Sequence, residues 1–447
     1  MKKVLSILEK PIDIAPLVYA RIVLGVLISL EFSLGVFTNY GQTLIQGNMH
    51  FSYLMTGFIE PWSSPLMIQG HFMFNFILGI LFAMGFYYRW VTPLFLLSGA
   101  SLFLMEKSLY INHFYLYSLI LFLFLFLPAN RGYSFDSWRK PQIKVSEVPA
   151  WTVYILLFQL SVVYFYSGIA KINADWFQAQ PVQIWLGRKA DYPLIGGILS
   201  STSYAYIVAY GGLLFDLLIV PSMLYRPTRK VAFFICCFFH LANVITFGVG
   251  TFPWFSMAAT ALFFAPSSFR KWKLRTHLLP VGIKTYSLGR KKRFIYLVFS
   301  LYMILQLLVP LRLHLYPGNA SWTEQGHFFA WRMMLRTKQG SIKFTVNDAK
   351  SSAIESVKLS DHLNKTQIRK IAGNPDFIVQ FAHYLKEYYL EEKNYISPEI
   401  YAENEVSLNG RERQAMIPPG LDLGQVKRDL SPYSWIIPQK ESSYFSR

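Results

Sequence analysis

Nine apolar runs, each at or near the length that crosses a bilayer, fill most of the first 311 residues of this 447-residue chain. A helix needs roughly 20 apolar residues to span a membrane. The runs predict helices over 15–37, 71–88, 91–106, 111–128, 150–170, 203–223, 230–248, 250–266 and 293–311. The segments 91–106 and 250–266 are short enough to be tilted or re-entrant. The fold class expected is therefore a polytopic α-helical membrane protein with about nine spanning helices over 1–311. A C-terminal α+β extracytoplasmic domain is expected over 312–447. Composition agrees: 53% of residues are hydrophobic and 15% charged, where soluble chains are about a quarter charged.

The formal charge of +18 first suggests nucleic acid. Its distribution argues against that partner. Residues 1–311 hold 25 Lys/Arg against 10 Asp/Glu, and residues 312–447 hold 18 against 15. With the N-terminus inside, alternate loops place twenty Lys/Arg on the inner side, nine of them in 267–293. Four (Lys107, Lys171, Arg188 and Lys189) fall on the outer side. Cationic loops resist translocation, so the N-terminus is expected to be cytoplasmic and residues 312–447 outside, in a cell inner membrane. The start MKKVLSILEK is like a signal sequence, but the run behind it is long and carries Arg21 and Glu31, so it reads as a retained first helix. Adjacent Cys236 and Cys237 point away from each other on a helix and predict no disulfide.

In the C-terminal part, Ser341–Asn347 alternates apolar and polar residues as a half-buried strand does. Asn374 followed by Pro375 predicts a capped helix, with Ile378, Phe381, Leu385 and Tyr388 on its apolar face. Strand-like pieces follow near 401–408 and 412–417.

No pair of histidines has HxxxH or HxxH spacing, so a membrane di-iron centre is disfavoured and no metal is expected. Phosphate loops, CxxC and GxSxG are absent too. What remains is ionisable residues at membrane depth, where charge is costly and usually has a purpose. Lys171 ends the fifth run, His113 and Asn112 begin the fourth, and His240 and Asn243 lie along the seventh. Each has a plainer reading. A lysine at a helix end usually snorkels to the headgroups, and a lone intramembrane histidine is more often a packing residue. Asp216, Arg21 and Glu31 read most simply as interhelical pairs. Gly211 and Gly212 read as points of close helix approach.

Several ordered segments change those odds. SGIAKINADWF (167–177), INHFYLY (111–117), FFHLANVITFGVGTFPW (238–254) and WTEQGHFFAWRMM (322–334) resemble segments of the vitamin K-dependent gamma-glutamyl carboxylases. KPIDIAPLVYARIVLG, GGLLFDL and NGRERQAMIPPGLDL resemble others, so the likeness runs to about residue 440. It is strongest with bacterial members, whose membrane part is the horizontally transferred transmembrane domain.

The resemblance implies conversion of protein glutamate to gamma-carboxyglutamate, coupled to oxidation of a reduced quinone to its epoxide. The cofactor implied is a vitamin K-type hydroquinone (phylloquinone or menaquinone), with oxygen and carbon dioxide as co-substrates. The carbon acid involved is too weak for a side-chain base with a pKa near 7, which is why the family enlists the quinone. By carry-over Lys171 is the first base, its basicity tuned by partial burial. His113 supports the carbanion, and Asn112, His240 and Asn243 position the quinone. Trp331, His327 and Arg336 place the glutamate. His327, Arg332, Arg336 and Lys338 stand where the animal enzymes mostly have other residues, which leaves the acceptor open. Expected partners are membrane lipid and a glutamate-containing peptide or protein. Two other functions compete: a quinone- or lipid-binding membrane protein without chemistry, and a quinone epoxidase without carboxylation.

Overall fold

All nine apolar segments form helices, and six are long and apolar enough to cross a membrane. The computed structural model describes residues 2–38, 44, 47–271, 286–287, 289–351 and 353–440. Lys273, Arg275 and Lys284, part of the basic inner loop expected over 267–293, lie outside the described residues.

After a short strand β1 (Pro11–Asp13) come α1 (Ala15–Phe37), α2 (Pro65–Met84), α3 (Tyr88–Leu104) and α4 (Asn112–Phe124). Strand β2 (Glu147–Pro149) precedes α5 (Trp151–Ala170), α6 (Thr202–Leu224), α7 (Arg229–Phe247), α8 (Phe252–Thr260) and α9 (Lys292–Leu308). The six long spans are α1, α2, α5, α6, α7 and the stretch from Lys292 to Leu315.

Of the segments expected to span in full, 111–128 departs most; 250–266, expected to be short, keeps nine helical residues in α8. The helix at 111–128, α4, has 13 residues, about 20 Å of rise against a core of about 30 Å. Pro128 follows closely and disfavours helical backbone before it. At its other end, Asn112 and His113 open onto a cavity.

Two ends of the bundle are distinct. At one, β1 pairs antiparallel with β2, Lys292 reaches Glu9 at 2.9 Å, and the Tyr286 amide donates to the Glu147 carbonyl at 3.0 Å. At the other, the loops carrying Lys107, Asp175 and Trp185 are joined to the C-terminal domain. Lys107 pairs with Asp376 at 2.6 Å, and Asn409 Nδ2 donates to Asp175 at 2.7 Å. Trp185 Nε1 donates to Thr337 at 2.6 Å.

The C-terminal domain is α+β. Strands β3 (Lys338–Asp348), β4 (Ile354–Ser356) and β5 (Pro398–Leu408) form an antiparallel sheet in the order β4-β3-β5. Helices α10 (Lys365–Ile371) and α11 (Pro375–Glu391) accompany it. Asn374 caps α11 by accepting from the Phe377 amide, with Pro375 in the first turn, as the sequence predicts. Ile378, Phe381 and Leu385 are fully buried against Phe344, Val346 and Ile400 of the sheet. That core is not made by this domain alone. Phe51, from the loop after α1, is buried in it and stacks on Phe377 with centroids 4.3 Å apart.

Three expectations fail locally. The piece at 412–417 is no strand; Gln414 alone bridges Val406, and the Met416 and Ile417 amides donate to the Asn404 side chain instead of a ladder. Among the described residues Arg21 forms no interhelical ion pair. It is fully buried and donates to the carbonyl of Ala83 in the last turn of α2 and to those of Ala129, Gly132 and Tyr133 in the loop after α4, so its donors are satisfied by main chain. Close helix approach occurs not at Gly211, around which there is open space, but at Gly168. A Cβ there would stand 2.6 Å from Leu217, so α5 and α6 meet one residue from Asp216.

Candidate functional site

A single cavity of about 1370 Å³ runs from between the helices to the underside of the C-terminal domain. Lys171, His113, Asn112, His240, Asn243, His327 and Arg336 all line it. Trp331 does not. Its ring is buried and stacks on Tyr115 with centroids 4.8 Å apart, so its expected contact with a glutamate is not supported by its position. The backbone turns left-handed at Phe329, Trp331 and Met334, which directs this segment away from any regular repeat.

Lys171 caps α5 and is 7% exposed, so it does not snorkel. Its ammonium donates to Asp216 Oδ2 at 2.6 Å and to Ser167 Oγ at 2.9 Å. Ser167 Oγ in turn donates to Asp216 Oδ2 at 2.6 Å. Ser167 and Lys171 are four residues apart and so share one helix face. The interhelical pair expected for Asp216 is therefore real, and its partner is the candidate base. Lysine and carboxylate are one proton transfer away from amine and carboxylic acid.

His113 has a carboxylate of its own. Its Nε2 lies 3.3 Å from Glu31 Oε1 on α1, and Thr251 donates to the other oxygen of Glu31. Thr251 Oγ1 also lies 3.2 Å from Tyr117 OH. The ring of His113 packs against Phe252 and Tyr117. Asn112 Oδ1 accepts from Tyr110 OH at 3.0 Å. His240 is buried, and Tyr164 OH lies 3.2 Å from its Nε2 and 3.1 Å from Thr260 Oγ1.

At the end under the C-terminal domain, buried Glu324 holds two cations. Lys338 Nζ donates to its Oε1 at 2.8 Å, and Arg336 forms a two-pronged pair with both oxygens. Burial alone would raise the Glu324 carboxyl, but Arg336 and Lys338 hold it below the usual carboxylate range. Burial brings Lys338 down to about 8, against the pull of Glu324. His327 bonds Arg336. Burial and then the surrounding cations push it well below the usual histidine range, so it is neutral.

Sequence reasoning named Asp216 and Glu31 without their roles and missed Glu324, Ser167 and Thr251. For Glu324 a signal exists: it is the one carboxylate in a segment that also carries Arg332, Arg336 and Lys338. The pairs Lys171–Asp216 and His113–Glu31 join different helices, 45 and 82 residues apart in sequence, and local spacing does not reveal them.

Residues 9–268 match the HTTM domain family, and residues 291–442 match the lumenal domain of vitamin K-dependent gamma-carboxylases. No solved structure matches the chain.

Proposed function

The chain belongs to the vitamin K-dependent gamma-carboxylase family, and from that premise we propose that it converts glutamate side chains of a peptide or protein to gamma-carboxyglutamate with a reduced quinone. The observation that carries the reading is the sharing of one cavity by a buried lysine–carboxylate pair, a half-buried histidine–carboxylate pair and a cationic mouth. Lys171–Asp216 and Glu31–His113 stand at its membrane end, and Arg336, Lys338 and Glu324 at its outer end.

The residues present fit a vitamin K-type quinone such as phylloquinone or menaquinone. Leu116, Leu160, Val163, Phe239 and Phe252 give the cavity apolar walls, suited to a planar ring and an isoprenoid tail. Asn112, His240 and Asn243 supply polar atoms among them. When bound, a reduced quinone oxidised by oxygen to its epoxide and water supplies the strong base that this carbon acid demands.

The protein's part is to hold and move protons and to bind the acceptor. Lys171 first gives a proton to Asp216 Oδ2 along the 2.6 Å bond and, as the free amine, then takes one at Nζ. Ser167 fixes the carboxylate so that this bond is kept short. His113, oriented by Glu31, stabilises charge that develops on the γ carbon of glutamate. That carbon loses a proton and forms its new bond to carbon dioxide. Arg336 and Lys338 face the cavity mouth and hold the acceptor's carboxylate by charge-assisted hydrogen bonds.

The orientation proposed puts the N-terminus in the cytoplasm and the C-terminal domain outside, in a cell inner membrane. Its support is the twenty-to-four bias of basic residues, together with two physically distinct ends of the bundle.

The test is incubation with reduced menaquinone, oxygen, labelled bicarbonate and a glutamate peptide, scoring label and epoxide separately. Both products support the proposal. Epoxide without label leaves a quinone epoxidase, and neither product leaves a binding protein.

A further inference from the structure

The outer end of the cavity holds more positive charge than one acceptor carboxylate balances. Arg336 and Lys338 are both bonded to Glu324. Arg332 lines the same cavity, and among the described residues no carboxylate lies within ion-pair reach of it. Its Nη2 donates to Ser321 Oγ at 2.9 Å, but its Nε is buried and has no partner. Burial and then the like charge of Arg336 bring Arg332 down to about 10. His327 between them is neutral, so three cations share one carboxylate. An unpaired donor and an excess of cations in a half-buried site are both costly.

We infer that Arg332, together with Arg336 and Lys338, forms a site for a geminal dicarboxylate, the malonate-like group that γ-carboxylation creates. The inference rests on the carboxylase reading for the origin of that group. Charge counting supports it. Arg332, Arg336 and Lys338 outnumber Glu324 by two, and Arg369 and Lys370 line the same cavity, so the second carboxylate of the product still meets unbalanced positive charge. Arg332 is therefore a specificity-determining residue for the new carboxylate, while Arg336 and Lys338 hold the one the acceptor brings. An anionic phospholipid headgroup is the other source of negative charge. Against it, Arg332 follows the fully buried Trp331 and faces inward to the cavity.

The test needs no turnover. The full chain in phosphatidylcholine nanodiscs, without quinone, is titrated with malonate and with acetate, and affinity is read from the rise in unfolding temperature. Malonate should bind about tenfold or more tightly than acetate, the effect of one added charge-assisted bond. Arg332→Gln should bring that ratio to about one, Arg332→Lys should keep most of it, and Lys365→Gln, at an exposed position of α10, should leave it unchanged. Equal affinities in the wild type, or a preference that survives Arg332→Gln, overturn the inference. So does loss of wild-type malonate binding in phosphatidylglycerol nanodiscs, which would assign the cluster to lipid. Malonate preference in a protein that carboxylates nothing would sink the carboxylase reading and leave the dicarboxylate site standing.

Discussion

Lys171 Nζ lies 2.6 Å from Asp216 Oδ2, with Ser167 donating to the same carboxylate oxygen, so the candidate base and its counter-charge form one buried unit between α5 and α6. This changes what substitution at either end should do. A snorkelling lysine contributes little to stability, whereas removing one member of a buried pair leaves an uncompensated charge, at a cost of about 3–5 kcal/mol. Lys171→Ala should therefore abolish epoxide formation and also lower thermal stability. The double variant Lys171→Ala/Asp216→Ala should be more stable than the sum of the single effects predicts. Additive losses in a thermal-unfolding cycle would mean that the two side chains are not coupled.

The orientation has a direct check. A cysteine at Lys189 or Lys365 should react with an impermeant maleimide in intact cells, and a cysteine at Arg139 should react only after lysis. The motive is that Lys365 begins α10 of the domain attached to the Lys107 end of the bundle, while Arg139 follows the loop at the β1–β2 end. Labelling with the opposite sidedness would overturn the proposed topology.

The helices were legible because apolar runs are local and long. Their true lengths were less so, since α4 ends at Phe124, ahead of Pro128 and short of the expected end. Site residues carried by short ordered segments, Lys171, His113 and His240, were found at the cavity wall. Trp331 was not, because its direction is set by left-handed backbone at positions 329, 331 and 334. No residue pattern there announces that geometry. Arg21 was misread for a related reason: a buried guanidinium can be satisfied by main-chain carbonyls as well as by a carboxylate, and sequence lists only the carboxylates.

Acid should destabilise the C-terminal domain through His327. Burial and the neighbouring cations depress its folded pKa well below the ordinary value of about 6.5. Below pH of about 6.5 the unfolded chain then binds a proton that the folded one does not, so stability falls as pH falls. His327→Gln should flatten the slope of unfolding temperature between pH 6.5 and 5, a window above the range in which Glu324 titrates. An unchanged slope would show that His327 is protonated in the folded protein.

Alkali should act oppositely on stability and on acceptor binding. Lys338, brought down to about 8 chiefly by burial, loses its ammonium above that pH while the unfolded lysine keeps its proton to about 10.4. The unfolded state then binds more protons, and stability rises with pH across that window. The cation that holds the acceptor is lost in the same window, so KM for a glutamate peptide should rise severalfold between pH 8 and 9.5. Lys338→Arg should move that rise beyond the measurable range. A KM that climbs equally in Lys338→Arg would trace the effect to another group.

The division of labour between the two charge pairs is the most demanding expectation. His113 is assigned to the γ carbon and Lys171 to the quinone, and interactions made in one transition state alter only that rate. His113→Ala should lower carboxylation by about 10²-fold or more, the usual worth of a positioned acid–base or electrostatic group, while much epoxide formation survives. Glu31 is assigned to the same step through His113 Nε2, 3.3 Å away. Glu31→Gln should therefore lower the same ratio of label to epoxide, by a smaller factor, and should add little to the defect of His113→Ala. Separate assays of epoxide and carboxyglutamate in the three variants decide it. Equal loss of both products in His113→Ala would place that histidine on the quinone side with Lys171. A Glu31→Gln defect that multiplies with that of His113→Ala would mean that the carboxylate acts on its own.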